Sequence, residues 1–168
     1  MWAQSSRLRL NPLPINPREK VCRHVDAIFG AGVSDALPAD IGFEFSRKTG
    51  RIKNFSIGGK LAVTLRTDGG LALTVAGAQF LASNSMPFKE NCVVPVQDAV
   101  PFVTEGRSLF CRHVGWSGAN VKAGSDVAIV DKDTVIAVGI AMLGSGQMGV
   151  YGRGVAVKVR EGLKSRTA

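Results

Sequence analysis

From Cys92 to Val159 the apolar residues come in short runs, with Gly, Asn and Ser in most of the intervals between them: CVVPV, RSLFCRHV, SDVAIVD, TVIAVGIAML and VAVKV. Short valine-rich runs spaced in this way fit a small closed or nearly closed β-barrel. The segment QDAVPFVTEG, between the first two runs, reads as a single helix. The last run shows the alternation most openly. Val155, Val157 and Val159 fall on one side of an extended chain, and Ala156, Lys158 and Arg160 fall on the other.

The stretch before Cys92 follows a different plan. Asn16-Pro17-Arg18-Glu19 has the chemistry of a helix start: a capping side chain, a proline suited to the first turn, and an acid at the positive end of the dipole. Val21, Val25 and Ile28 then recur at helical spacing with Phe29 beside them, and Gly30 is the stop. Lys20, Arg23 and His24 lie off that stripe, which predicts a helix with a basic outer face lying over a sheet. The sheet itself is predicted from IGFEFS, RIKNFSI, LAVTLR and LALTV, with Leu61, Val63 and Leu65 inward in the third. Ile52 has the opposite parity to Phe55 and Ile57, so a bulge or a slip in register is expected between them. Asp68-Gly69 is a strong hairpin signal, and AGAQFLAS reads as a short helix. NSMPFKEN, residues 84–91, is polar and turn-rich and marks a boundary. The expected organisation is an extension over residues 1–16, an α+β module over 17–91, and a β-barrel domain over 92–168.

Charge narrows the function. The chain carries 21 Lys+Arg against 13 Asp+Glu, a formal net charge of +8. A basic balance of this size favours an anionic partner, most often nucleic acid. The last sixteen residues hold five cations, Arg153, Lys158, Arg160, Lys164 and Arg166, against the single acid Glu161. No apolar run approaches the roughly 18–20 residues of a membrane span. The N-terminus lacks the apolar stretch of a signal peptide. Three irregularly spaced cysteines do not make a disulfide framework. A cytoplasmic protein with no membrane partner is expected.

Catalytic and metal chemistry find little support. The tetrapeptide CRHV occurs at 22–25 and again at 111–114. On a helix, Cys22 and His24 point about 200° apart and cannot easily share a metal. On an expected strand, Cys111 and His113 share a face, but Leu109 shares it too and turns it inward. The usual C-x₂-C zinc spacings are missing, so no metal and no cofactor are expected. A Cys–His dyad requires an adjacency that spacing cannot supply. Asp68, Asp126, Asp131 and Asp133 sit in turn contexts, which explains them without catalysis. MLGSGQMG, residues 142–149, is glycine-rich but lacks the Lys-Ser/Thr of a phosphate-binding loop. Trp116, in GWSGAN, either stacks on a base or plugs an end of the barrel.

Four stretches in order, EGRSLFCRHV, AGSDVAIVD, TVIAVGIAML and GRGVAVKVREG, resemble the PUA domain, a pseudo-barrel RNA-binding module. Upstream, DAIFGAGVSDAL and TGRIKNFSIGGKLAVTLRTDGGLALTVAGAQFL, followed by VQDAVPFVTEGRSLF, resemble the module that precedes PUA in archaeal tRNA-guanine (archaeosine) transglycosylase. The resemblance implies an α+β fold: a helix-covered antiparallel sheet followed by a PUA-like pseudo-barrel. It implies the RNA-docking end of that family without its catalytic barrel, since such barrels need roughly 200 residues or more. It also implies a non-catalytic protein that docks tRNA by its acceptor stem and 3′ end, for a separate RNA-modification enzyme. The expected contacts are Arg107, Arg112, Trp116, Lys122, Arg153, Lys158 and Arg160, with Lys158 and Arg160 pointing outward. Secondary contacts are expected from Lys20, Arg23, Arg47, Lys48, Arg51 and Lys53. Two alternatives remain: a ribosome-assembly or scaffold protein using the barrel for rRNA and protein, and a small enzyme with a Cys/His site between the two halves.

Overall fold

The computed structural model describes residues 15–165; residues 1–14 of the expected extension and Arg166 therefore lie outside the described residues. Helix α1 spans Pro17–Phe29, with the Asn16 side chain accepting from the Arg18 N–H at 2.9 Å and Gly30 ending it at φ 114°. Its buried stripe is Val21, Val25 and Phe29. Ile28, expected on the stripe, is exposed instead. The spacing i, i+4, i+8 drifts slowly round a helix of 3.6 residues per turn and selects Phe29 over its neighbour.

Strands β1 (Gly42–Phe45), β2 (Ile52–Ile57), β3 (Lys60–Leu65) and β4 (Leu71–Leu73) form an antiparallel sheet in chain order. The expected bulge is present. Phe45 pairs with Ile52 and Glu44 with Asn54, so Lys53 is the extra residue, and both Ile52 and Phe55 are buried. A second bulge on β3 was not expected. Phe55 pairs with Val63 and Ser56 with Leu61, leaving Ala62 over. Ala62 and Val63 are therefore both buried, while Leu61 faces outward, opposite to the simple alternation.

Helix α2 (Val75–Asn84) is capped by Thr74, whose Oγ1 accepts from the Gly77 N–H and donates to the Leu61 carbonyl. A Cβ at Gly77 would stand 2.1 Å from the Ala62 carbonyl oxygen, so only glycine lets the helix sit this close to β3. The amide of Gln79 docks the same helix on the next sheet, donating to the Asp133 carbonyl and accepting from the Val135 N–H.

That sheet contains β5 (Cys92–Pro95), β6 (Leu109–Phe110), β7 (Val114–Ser117), β8 (Asp126–Asp131), β9 (Thr134–Ala141) and β10 (Val155–Gly162). Its order is β6-β10-β9-β8-β5-β7, a nearly closed barrel in which β5 and β8 alone are parallel. The expected single helix over QDAVPFVTEG is a 3₁₀ turn, Gln97–Ala99, running into the short helix α3 (Val100–Thr104). RSLFCRHV, expected as one strand, is divided by a 3₁₀ turn at Cys111–His113 that carries the chain from β6 to β7. Helix α4 (Ser145–Met148) seats the buried Met148 in the barrel core.

The wall shared by barrel and first sheet is β8–β9. Val127 and Ile129 point into the barrel core, while Ala128, Val135 and Val138 join the core under α1 and α2. Both faces of β8 are covered, which is why VAIV reads as a continuous apolar run. At one end of this wall Asp126, its side chain 1% exposed, receives two arginines. Arg160 donates to Asp126 Oδ1 at 2.9 Å and to the Leu73 carbonyl at 2.5 Å. Arg66 donates to Asp126 Oδ2 at 3.4 Å, and the Leu73 N–H donates to Oδ1 at 3.2 Å. One buried carboxylate thus ties β8 and β10 to β3 and β4.

Asp126→Ala leaves two cations converging on an apolar hole. Urea denaturation should show a loss of about 3 kcal/mol, the low end for breaking a buried ion pair, because both arginines keep some solvent. A loss under about 1 kcal/mol would contradict the junction described.

Candidate nucleic-acid interface

The edge of the barrel around β6 and β10 carries the densest group of expected contact residues. Phe110 pairs with Val155 and Leu109 with Val157, leaving Ala156 as an extra residue on β10. This bulge buries Ala156 and Val157 together. Just before it, Gly154 takes φ 93°, a conformation that favours glycine, and its carbonyl accepts from the Cys111 N–H at 3.0 Å. The turn and bulge set Arg153 beside Arg112. Together with Phe110, Gly152 and Gly154 these two arginines line a shallow groove of about 250 Å³.

Arg107 enters β6 behind Gly106, and its guanidinium lies 5.4 Å from the ring centre of the exposed Phe102. Lys158 is exposed on β10, one residue beyond the Val157 that faces Leu109. Arg112 donates to His113 Nε2 at 3.0 Å. Cations held a few residues apart around an apolar floor suit a polyanion that also carries planar groups.

The remaining expected residues stand elsewhere. Arg160 is exposed on β10 but its guanidinium is engaged: a second bulge, where Val159 pairs with Gly139 and Glu161 with Val138, leaves Arg160 as the extra residue. Its side chain turns to Asp126 at the junction. Lys122 is exposed in the loop before β8, where the Val121 carbonyl accepts from the Ser145 N–H of the glycine-rich segment. Trp116 is 47% exposed on β7, opposite Val94, rather than plugging the barrel. Of the secondary set, Arg23 pairs with Glu19 and Lys53 with Glu44, while Lys20, Arg47, Lys48 and Arg51 are exposed. Phe110, 47% exposed on the groove floor, was missed by the sequence reading. Period-two alternation from the buried Leu109 would have placed it outward.

The Cys/His alternative fares differently. His24 Nε2 lies 2.6 Å from the Gly69 carbonyl, so that nitrogen donates its proton. The Cys92 thiol meets the Phe88 carbonyl at 3.6 Å. Burial, with the Glu90 charge adding to it, pushes this thiol up to about 12, so it holds its proton at neutral pH. Among the described residues no group of three or more His, Cys, Asp or Glu is placed to hold a metal ion, and no helix is long and apolar enough to cross a membrane.

Comparison with known proteins gives consistent results. The PUA domain profile matches residues 93–163, and the profile of the patch-forming domain C2 of tRNA-guanine transglycosylase matches residues 21–87. The tRNA-guanine(15) transglycosylase of Methanobrevibacter smithii is 36% identical over 149 residues, a span covering 87% of this chain and 22% of that protein. The enzyme of the same name from Thermococcus kodakarensis is 34% identical over 138 residues, covering 81% of this chain and 23% of that one. The chain therefore spans less than a quarter of these curated relatives. Among solved structures, a hypothetical protein of Pyrococcus horikoshii OT3 superposes with a TM-score of 0.69 at 19% identity, over 90% of this chain and 92% of the other. A PUA domain of Aeropyrum pernix K1 gives 0.63 at 16% identity, over 87% of this chain and 81% of the other. Both show the shared fold.

Because the raised thiol favours the protonated folded state, its stabilising contribution is full below the ordinary thiol range and is lost as pH rises toward 12. Iodoacetamide at pH 8 should leave Cys92 unmodified until denaturant is added, as read by mass spectrometry. Labelling of native Cys92 at the rate of a free thiol would contradict its burial.

Proposed function

Since this chain is a PUA-domain protein homologous to the C-terminal part of archaeal tRNA-guanine(15) transglycosylase, we propose that it binds tRNA by the acceptor stem and 3′ end without catalysing a reaction itself, and presents it to a separate modification enzyme. The observation that carries this reading is the groove in which Arg112 and Arg153 flank the exposed Phe110. Two guanidiniums suit successive phosphates, and a phenyl face suits an unpaired terminal base. Arg107 and Lys158 extend the positive edge along β6 and β10. Recognition of this kind rests on backbone shape and phosphate spacing, with little reading of sequence.

The first sheet adds charge away from this groove. Its cations at the β1–β2 turn, Arg47, Lys48 and Arg51, are spread over an exposed loop and suit non-specific contact. The Cys/His enzyme reading loses support from the protonated state of Cys92 and the engaged His24.

Arg160 is a poor probe of RNA contact because its removal also breaks the junction. Arg153→Glu/Lys158→Glu is the cleaner variant. With total tRNA, the wild type should show affinity falling steeply with salt. The double variant should weaken binding at least about tenfold and flatten the log–log salt slope by roughly 1–2. Binding that is insensitive to salt, or unchanged by the double variant, would overturn the proposal.

A further inference from the structure

A larger cavity, about 580 Å³, lies on another part of the surface, where the end of α2 meets β5, β7 and the β8–β9 turn. Its volume falls within the range of small-molecule sites, roughly 300–1,000 Å³. Trp116 forms one wall and leaves nearly half its surface open. Val94 and Val130 line it with apolar surface, and Lys89, Lys132 and Asp133 bring charge to it. Lys132 holds φ 55°, the one positive-φ residue among the described residues that is not glycine. Gln79 fixes the adjoining turn to α2 through the Asp133 carbonyl and the Val135 N–H, so α2 and the β8–β9 turn are held together beside the cavity.

Ser85 also borders this cavity. It is 5% exposed, and its Oγ has no hydrogen-bond partner. A buried hydroxyl without a partner is costly to keep and points to a group that arrives from outside. An indole face, a free hydroxyl and two ammonium groups against one carboxylate make a set that recognises a planar, hydrogen-bonding, anionic ligand. We infer that this cavity binds a nucleotide, its base against Trp116 and within reach of Ser85, its phosphate toward Lys89 and Lys132. The ligand chemistry is the same for a free nucleotide and for one turned out of an RNA. The inference rests on the cavity, and on the RNA-docking reading only where the nucleotide belongs to an RNA.

In a Trp2→Phe background Trp116 is the sole tryptophan. AMP, UMP and a short single-stranded RNA oligomer should each be titrated by Trp116 fluorescence, with calorimetry for variants. Saturable quenching is expected, with affinity at least about fivefold weaker in Trp116→Ala and in Lys89→Glu/Lys132→Glu. Ser85→Ala should weaken binding severalfold while holding or raising the thermal midpoint, since it removes an unpaired buried group. Equal binding of mononucleotide and oligomer assigns a free nucleotide, whereas strong preference for the oligomer assigns an RNA. Arg153→Glu/Lys158→Glu should leave mononucleotide binding intact, so failure of the barrel-edge groove and failure of this cavity read out separately. No saturable quenching by any probe, or full affinity in Trp116→Ala or Ser85→Ala, overturns the inference.

Discussion

The buried carboxylate of Asp126 is the point through which the two sheets are fixed to each other. It begins β8, the strand whose two faces serve both cores, and it accepts from Arg66, Arg160 and the Leu73 N–H. A charge this deep is tolerable only with partners that satisfy its lone pairs, and these partners come from the opposite sheet and from the closing strand. The arrangement fixes the barrel against β3 and β4 in a way that apolar contact alone would not, because hydrophobic burial is non-directional.

Bulges decide what the closing strand shows to solvent. Without them, β10 would alternate simply, with its cations together on one face. The extra residue at Ala156 lets two neighbours enter the barrel, and the extra residue at Arg160 turns a guanidinium into the junction. Lys158 between them stays exposed. One strand thereby closes the core, anchors the neighbouring sheet and contributes to a basic edge. Arg112 and Arg153 meet at that edge because the 3₁₀ turn after β6 and the glycine turn before β10 lie together, joined by the Cys111–Gly154 hydrogen bond.

Much of this was legible in the residues. The α1 start and stop, the hairpin at Asp68-Gly69, the bulge near Lys53 and the run of short barrel strands all follow from local chemistry that tertiary contacts reinforce. The PUA and C2 likeness, carried by ordered motifs, matches the comparisons. What escaped was whatever depends on a partner far along the chain. The bulge at Ala62 accompanies the close seating of Gly77, and nothing near Leu61 announces it. Asp126 looked like a turn acid because its partners lie 34 and 60 residues away. Cys111–His113 looked like strand because alternation there cannot report a crossing between barrel edges. Phe110 was within reach of the same alternation and was passed over.

The proposed RNA face is the β6–β10 edge of the barrel, held against the first sheet by the Asp126 junction. Amide NMR shifts on adding a tRNA acceptor-stem hairpin with a single-stranded 3′ end test it most directly. The largest changes are expected at Arg107, Phe110, Arg112, Arg153 and Lys158, with Asp126 and Leu73 nearly unmoved. Changes centred on α1 or the β1–β2 turn, with the β6–β10 edge silent, would contradict it.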